Sequence, residues 1–357
     1  MIRTIFAIAA LACATAAAKA DPVEDFYKGK QIRVIIGFGA GGGYDLSARL
    51  VARHMARFIP GRPTVVPQNM PGAGAAIAAQ YLMQGAARDG TVLATLGQNI
   101  PFDQVMDPHR SNTYDAAKML WIGNVNEENN VIEIWRDSGV TSIEDAFRRE
   151  IVLGATAADG ADALYPQVLN NVLGTKFKII GGYPGGADQN LAMERRETDG
   201  RGSNTMSSIR ATSPQYVTEN KVAIILQMGV VKDRNLADVP LMTDLGRSQA
   251  ERSVFGLISA GVRIGRPILT TPDVPADRLK ALRDAFDATM KDPEFLAEAK
   301  QARIDVNPIP GADVQKIVEA VVKVSPDIAA LARAAVVPGK KFDCAAIAAD
   351  KSICQPK

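Results

Sequence analysis

Histidine and cysteine are nearly absent: the 357 residues hold two of the first and three of the second. His54 falls in a helical segment among arginines and His109 in the turn Asp107-Pro108-His109. Both read as surface histidines, without the clustered partners that a metal centre or a nucleophile and base pair requires. No G-x-S-x-G turn is present. Excess charge is lacking as well: 41 basic residues face 39 acidic ones with no dense Lys/Arg run, which excludes the basic footprint of a nucleic-acid or membrane-surface protein.

The start of the chain is of another kind. Met1 to Ala20 carries Arg3, runs apolar from Ile5 to about Ala18 and closes on Ala18-Lys19-Ala20 before Asp21. That is the pattern of a secretory signal peptide, cleaved near Ala20. Lys19 ends the stretch short of the roughly 20 apolar residues of a membrane anchor. Cleavage removes Arg3 and Lys19 and no acid, taking the basic count from 41 to 39 against 39 acids, so the exported chain is formally neutral. Cys344 and Cys354 then remain in a polar tail, and an oxidising compartment predicts a small-loop disulfide between them.

A hydrophobic content of 47% is enough for substantial cores, and the length after cleavage suits two domains. Short apolar runs predict strands at Ile32 to Ile36, Thr64 to Val66, Val92 to Leu96, Val131 to Trp135, Ile151 to Gly154, Lys178 to Ile180 and Val222 to Leu226. Helical periodicity fills the gaps, as in Leu46 to Ile59. Such alternation implies an α/β fold with mostly parallel sheets. Val254 to Ala260 reads as a further strand, and Pro275 to Met290 and Ala312 to Val336 read as terminal helices. The economical division is a signal peptide over 1–20, domain 1 over 21–124 plus 263–357, and domain 2 over 125–262, so that two crossings form a hinge.

Glycine carries the chemistry. Ile32 to Asp45 is an apolar strand that stops at a turn holding Gly37, Gly39, Gly41, Gly42 and Gly43 and opens onto a helix. Backbone N–H groups and a helix N-terminus there form an anion cradle. Gly37-Phe38-Gly39-Ala40-Gly41-Gly42 also satisfies the dinucleotide fingerprint G-x-G-x-x-G. The acid expected about 20 residues on is missing, however, and no Lys-Ser or Lys-Thr follows the glycines as a Walker loop would require. A ligand-free tight turn is the other reading. Asn69-Met70-Pro71-Gly72-Ala73-Gly74 repeats the arrangement after the second strand, either as an adjoining cradle or as close helix packing. Tyr183-Pro184-Gly185-Gly186-Ala187-Asp188 is a third such turn, placed to close a crevice from the second domain. Asp45 stands where an N-cap belongs and could also face the cleft.

These motifs, in this order, resemble the periplasmic solute receptors of tripartite tricarboxylate transporters, the Bug-type receptors. The resemblance runs from FYKGKQIRVIIGFGAGGGYDLSARL through VVPQNMPGAGAAIAAQYL and RDGTVLA to GGYPGGADQNLAMERRETDG and the helices after PDVPADRL. It implies a two-lobed periplasmic binding protein fold, type II-like, with a ligand cleft between the lobes. It further implies that Gly39, Ala40, Gly41, Gly42, Gly43 and Asp45, with Gly72, Ala73 and Gly74, hold a carboxylate through backbone N–H groups and ordered water rather than a buried arginine or lysine. Tyr183, Gly185 and Gly186 would anchor it from the second lobe, where Pro184 replaces the lysine of relatives, and Thr156 would reach its distal end. With Asp159 and Asp162 close by, that end is expected to be neutral, amino-bearing or aromatic, and Phe38 and Tyr44 could stack on an aromatic acid. The implied partners are a small organic carboxylate (di- or tricarboxylate or aromatic acid) and membrane transporter subunits. The resemblance implies a monomeric, non-enzymatic receptor without cofactor, metal or nucleic acid; presentation of its closed form to a sensor protein is the alternative role.

Overall fold

The computed structural model describes residues 21–107, 109 and 112–356, so the signal-peptide reading of 1–20 lies outside the described residues. Two sheets organise the chain. The first holds β1 (Gln31–Ile36), β2 (Thr64–Asn69), β3 (Val92–Thr95), β4 (Leu120–Asn124), β10 (Pro267–Thr270) and β11 (Ile309–Pro310), in the order β11-β4-β10-β3-β1-β2. The second holds β5 (Asn130–Trp135), β6 (Ile151–Gly154), β7 (Phe177–Ile180), β8 (Gly200–Thr205) and β9 (Val222–Met228), in the order β7-β6-β8-β5-β9.

The sheets are mixed rather than mostly parallel. β1 runs parallel to β2 and β3, and β6 parallel to β7 and β8, as helical crossovers require. β10 is antiparallel to β3 and β4, and β5 is antiparallel to β8 and β9. The crossings between the two sheets explain this. β4 leaves the first sheet at Asn124 and β10 enters it at Pro267, paired with Asn124, so one strand exits where the other arrives.

Burial follows the alternation of the strands. Ile32, Val34 and Ile36 pack with Leu50, Val51 and Met55 of the helix Gly43–Met55 and with Phe286 and Phe295 on one face of the first sheet. Ile35 points to the other face, among Ala78, Ala79 and Leu82 of the helix Ala76–Gln84. Val254 to Ala260 is not a strand: Gln249–Ser259 is a helix, capped by the Ser248 side chain, which accepts from the Glu251 amide. Ser248 and Glu251 form the S-x-x-E pattern of a capping box, and Ala250, Val254, Phe255 and Ile258 recur at helical spacing toward the second core.

The terminal helices part company with the first lobe. Gly311–Val322 packs there through Val314 and Val318, but Ser325 caps a separate helix, Pro326–Ala335, that spans both lobes. Its Ala329 joins the first core and its Leu331 and Ala335 the second. Beyond it Ala348 is buried in the second core, and the bonded pair Cys344 and Cys354, with Cα atoms 5.6 Å apart, packs alongside. The tail was expected on domain 1; it lies on the second lobe because the break at Ser325-Pro326 turns the apolar stripe of Pro326–Ala335 toward the helix Gln249–Ser259. The chain thus passes between the lobes a third time.

Candidate functional site

The carboxyl ends of β1, β2 and β3 face those of β6 and β8 across a closed cleft, the place where open α/β sheets bind ligands. Three glycine turns meet there, and they meet one another. The Gly39 amide donates to the Pro184 carbonyl at 2.9 Å, a main-chain bond between lobes. A Cβ on Gly42 would lie 3.1 Å from the Gly186 amide nitrogen, and one on Gly185 would lie 3.1 Å from that of Gly39. The glycines therefore allow two backbones to touch, and only part of the first turn faces a cavity.

That cavity, of about 70 Å3, is several times the ~10–15 Å3 that one water requires. From the first lobe Phe38, Gly42, Gly43, Tyr44, Gln98 and Asn99 line it. From the second come Thr156, Asp162, Gly186, Gln189, Arg201 and Ser208, while Arg266 stands at the crossing into β10.

Several expected site residues lie elsewhere. Ala40 and Gly41 are exposed. Asp45 is 2% exposed but braces the turn: its carboxylate accepts from the Gly41 amide at 2.9 Å, Arg49 Nε at 2.8 Å and Asn69 Nδ2 at 2.8 Å. Gly42, not Asp45, is the N-cap. Gly72, Ala73 and Gly74 do not line this cavity: their run of positive φ, 138°, 46° and 58°, backs Gly74 onto Gly160 of the second lobe. Tyr183 lies over Gly154, away from the cavity, and of the third turn only Gly186 lines it. Phe38 and Tyr44 stack on each other, with ring centroids 4.3 Å apart, and the Arg266 guanidinium lies 4.2 Å from the Tyr44 centroid. The Tyr44 ring is thus engaged within the protein.

The charged groups are the larger departure. Arg201 is buried; its Nε donates to Gln189 at 2.6 Å and its Nη1 to Asn190 at 2.8 Å, 3.5 Å from Glu133. Glu133 is fully buried, accepts from Asn204 Nδ2 at 2.6 Å and has its carboxyl pushed up by burial. Asp162, in the first turn of the helix Ala161–Leu173, accepts from the Thr156 amide at 2.8 Å, the Thr156 hydroxyl at 3.1 Å and Gln189 Nε2 at 2.7 Å. Burial raises its pKa too. Arg266 donates its backbone N–H to Asn124 Oδ1 at 2.7 Å, and its Nη2 lies 3.3 Å from the Thr205 hydroxyl. Two guanidinium groups thus stand on a wall for which backbone N–H groups and ordered water were expected.

Sequence reasoning missed Arg201, Gln189, Ser208 and Arg266. One signal was available: β8 reads GRGSNT, a strand with little β propensity that is nonetheless buried along most of its length. His54 was misplaced as well. It is 8% exposed and its Nε2 lies 2.5 Å from Glu298 between two helices. Together with Asp292 and Glu294 it forms the one metal-competent group found among the described residues, but Arg57 already bonds both acids. His109 is exposed, as expected.

No family model matches the chain. A curated protein, the UPF0065 protein in gbd 5′ region of Cupriavidus necator, is 26% identical over 314 residues, spanning 86% of this chain and 88% of that one. The solved periplasmic binding protein BugD is similar at a TM-score of 0.67 and 21% identity, over 87% of this chain and 99% of its own. MatC from Rhodopseudomonas palustris with bound malate is similar at 0.64 and 14%, over 84% and 99%. The fold is that of the two-lobed periplasmic binding proteins. Within that class the resemblance to Bug-type receptors, carried by the glycine turns, is borne out by the solved structure and the curated relative.

Proposed function

We propose that this chain is a periplasmic receptor that captures a small organic carboxylate between its lobes and presents the closed form to the membrane subunits of a tripartite tricarboxylate-type transporter. The observation that carries this reading is the cavity between the lobes, with Arg201 and Arg266 on its wall. A carboxylate bonded to guanidinium gains charge-assisted bonds about twice as strong as neutral ones, and the low dielectric between the lobes strengthens them. The malate held by MatC supports the same class of solute. The moving units are residues 21–124 with 263 to about 330, and 125–262 with the tail. Solute would shift the opening equilibrium only as far as its affinities for the two forms differ. The groups facing the cavity hold and orient a solute, which fits a receptor rather than an enzyme.

The test is a thermal-shift screen of residues 21–357 against dicarboxylates, tricarboxylates, aromatic acids, amino acids, NAD and ATP. A solute at about 100 times its dissociation constant stabilises the fold by about 2.7 kcal/mol. A melting shift with a carboxylate class supports the reading. A shift with NAD and none with any carboxylate would make the first glycine turn a nucleotide site instead.

A further inference from the structure

Arg201 meets the cavity with part of its guanidinium already taken. Nε donates to Gln189 at 2.6 Å and Nη1 to Asn190 at 2.8 Å, both acceptors lying on the helix Gly186–Glu194. Among the described residues Nη2 has no hydrogen-bond acceptor, and a Cβ on Gly186, itself on the cavity wall, would come within 3.0 Å of it. The group is therefore aimed: Nε and Nη1 fix it in the second lobe, and Nη2 is left for the space between the lobes.

Behind it stands Glu133. It is fully buried on β5, does not line the cavity, and lies 3.5 Å from Arg201 Nη1. One of its oxygens accepts from Asn204 Nδ2 at 2.6 Å; the other, Oε2, is buried and accepts no hydrogen bond. Of the acids whose charge acts on Arg201, Glu133 acts most strongly, ahead of Asp162. A carboxylate kept dry with one oxygen unbonded is costly. Holding the guanidinium in place does not require it, because Gln189 and Asn190 already do so.

We propose that Glu133 is a positioning residue that limits how tightly the receptor holds an acid, by sharing the charge of Arg201 with the carboxylate of the solute. This rests on the carboxylate-receptor reading above. With Glu133 behind it, Arg201 offers Nη2 as a donor whose positive charge is largely offset, and the buried carboxylate repels an incoming one. A guanidinium left alone in the wall after release would be an uncompensated buried charge. Glu133 stays in place when the solute goes, so it lowers the cost of letting go. Taking its charge away turns the bond from Arg201 to the solute into a fully charge-assisted one, about twice as strong, and affinity rises roughly five-fold.

Calorimetric titration of residues 21–357 with malate, succinate, adipate, citrate and benzoate tests this. Glu133→Gln keeps the shape of the side chain and an acceptor for Asn204 but not the charge, and it should bind at least one of these acids roughly five-fold more tightly than the parent chain does. Glu133→Asp keeps the charge and retracts it from Arg201 by one methylene, so its affinity for the same acid should fall between the other two. A residue that merely held the fold together would weaken binding in both variants. If acids bind the parent chain and bind Glu133→Gln equally or more weakly, the inference is overturned and the carboxylate reading stands. If no acid binds the parent or either variant, both are wrong. Should Glu133→Gln fail to fold, Glu133→Asp decides: binding tighter than that of the parent supports the inference, and equal or weaker binding overturns it.

Discussion

Closure can be perturbed at a residue that touches neither the solute nor either core. Gly185 has φ −174°, extended backbone open to any residue, and it does not line the cavity. The nearest atoms to a methyl placed there all belong to Gly39 on the opposite lobe: its amide nitrogen at 3.1 Å, its Cα at 3.4 Å and its oxygen at 3.4 Å. Carbon contacts are best at about 3.5–4.0 Å, so Gly185→Ala has to drive the two turns apart by a few tenths of an ångström. The 2.9 Å bond from the Gly39 amide to Pro184 stretches with them. Overpacking of this kind costs about 1–3 kcal/mol. The cost falls on the closed form alone, and apparent affinity drops with the population able to bind, so the dissociation constant should rise roughly 5- to 160-fold. Calorimetry with the tightest solute reads this directly. Melting of the solute-free protein is the control, because Gly185 also caps the helix Gly186–Glu194 and losing a glycine N-cap weakens that lobe slightly. Unchanged affinity in a folded Gly185→Ala protein would refute the view that contact between the glycine turns accompanies binding.

Other perturbations separate the charged groups from the scaffold. Arg266→Gln should weaken solute binding roughly 10- to 150-fold by calorimetry while the solute-free melting temperature changes little. Burial raises the pKa of Asp162 above the ordinary 3.8, so its contribution to stability is complete below that value and is lost as pH rises through the folded one. Asn does not titrate; the melting temperature of solute-free Asp162→Asn relative to the parent should therefore climb as pH rises above 3.8, and a flat difference would contradict a raised pKa. Replacing Cys344 and Cys354 together by Ser should lower stability to urea by about 2–3 kcal/mol, the loop-closure entropy of a small ring, and leave affinity unchanged because the bond lies in the tail.

What could be read from the sequence was what apolar pattern and turn chemistry encode. β1, β6, β7 and β9 announce themselves as runs of Ile, Val and Leu, and the helix after β1 by its buried Leu50, Val51 and Met55. The two lobes and the cleft followed from these elements and from the order of the glycine turns. The role of the glycines was only half legible, because a missing Cβ reveals that something comes close and not what. Gly42 does face the cavity, whereas Gly39 and Gly185 make room for each other, and that pairing exists only once the lobes are in place.

The charged wall was hidden for a different reason. Arg201, Ser203 and Asn204 sit on β8, whose neighbours β5 and β6 are strongly apolar, so a reading by propensity passes over the strand altogether. Its backbone is held by the sheet, and its side chains are held by Glu133, Gln189 and Asn190 instead of by a hydrophobic face. A central strand keeps such residues at a cost in burial that only a partner can offset, whether that partner is another side chain or a solute. The place where hydrophobic pattern fails inside an otherwise apolar sheet is thus the place to look for the site. β8 is that place here: the polar stretch from Gly200 to Thr205 is buried along most of its length in an otherwise apolar sheet.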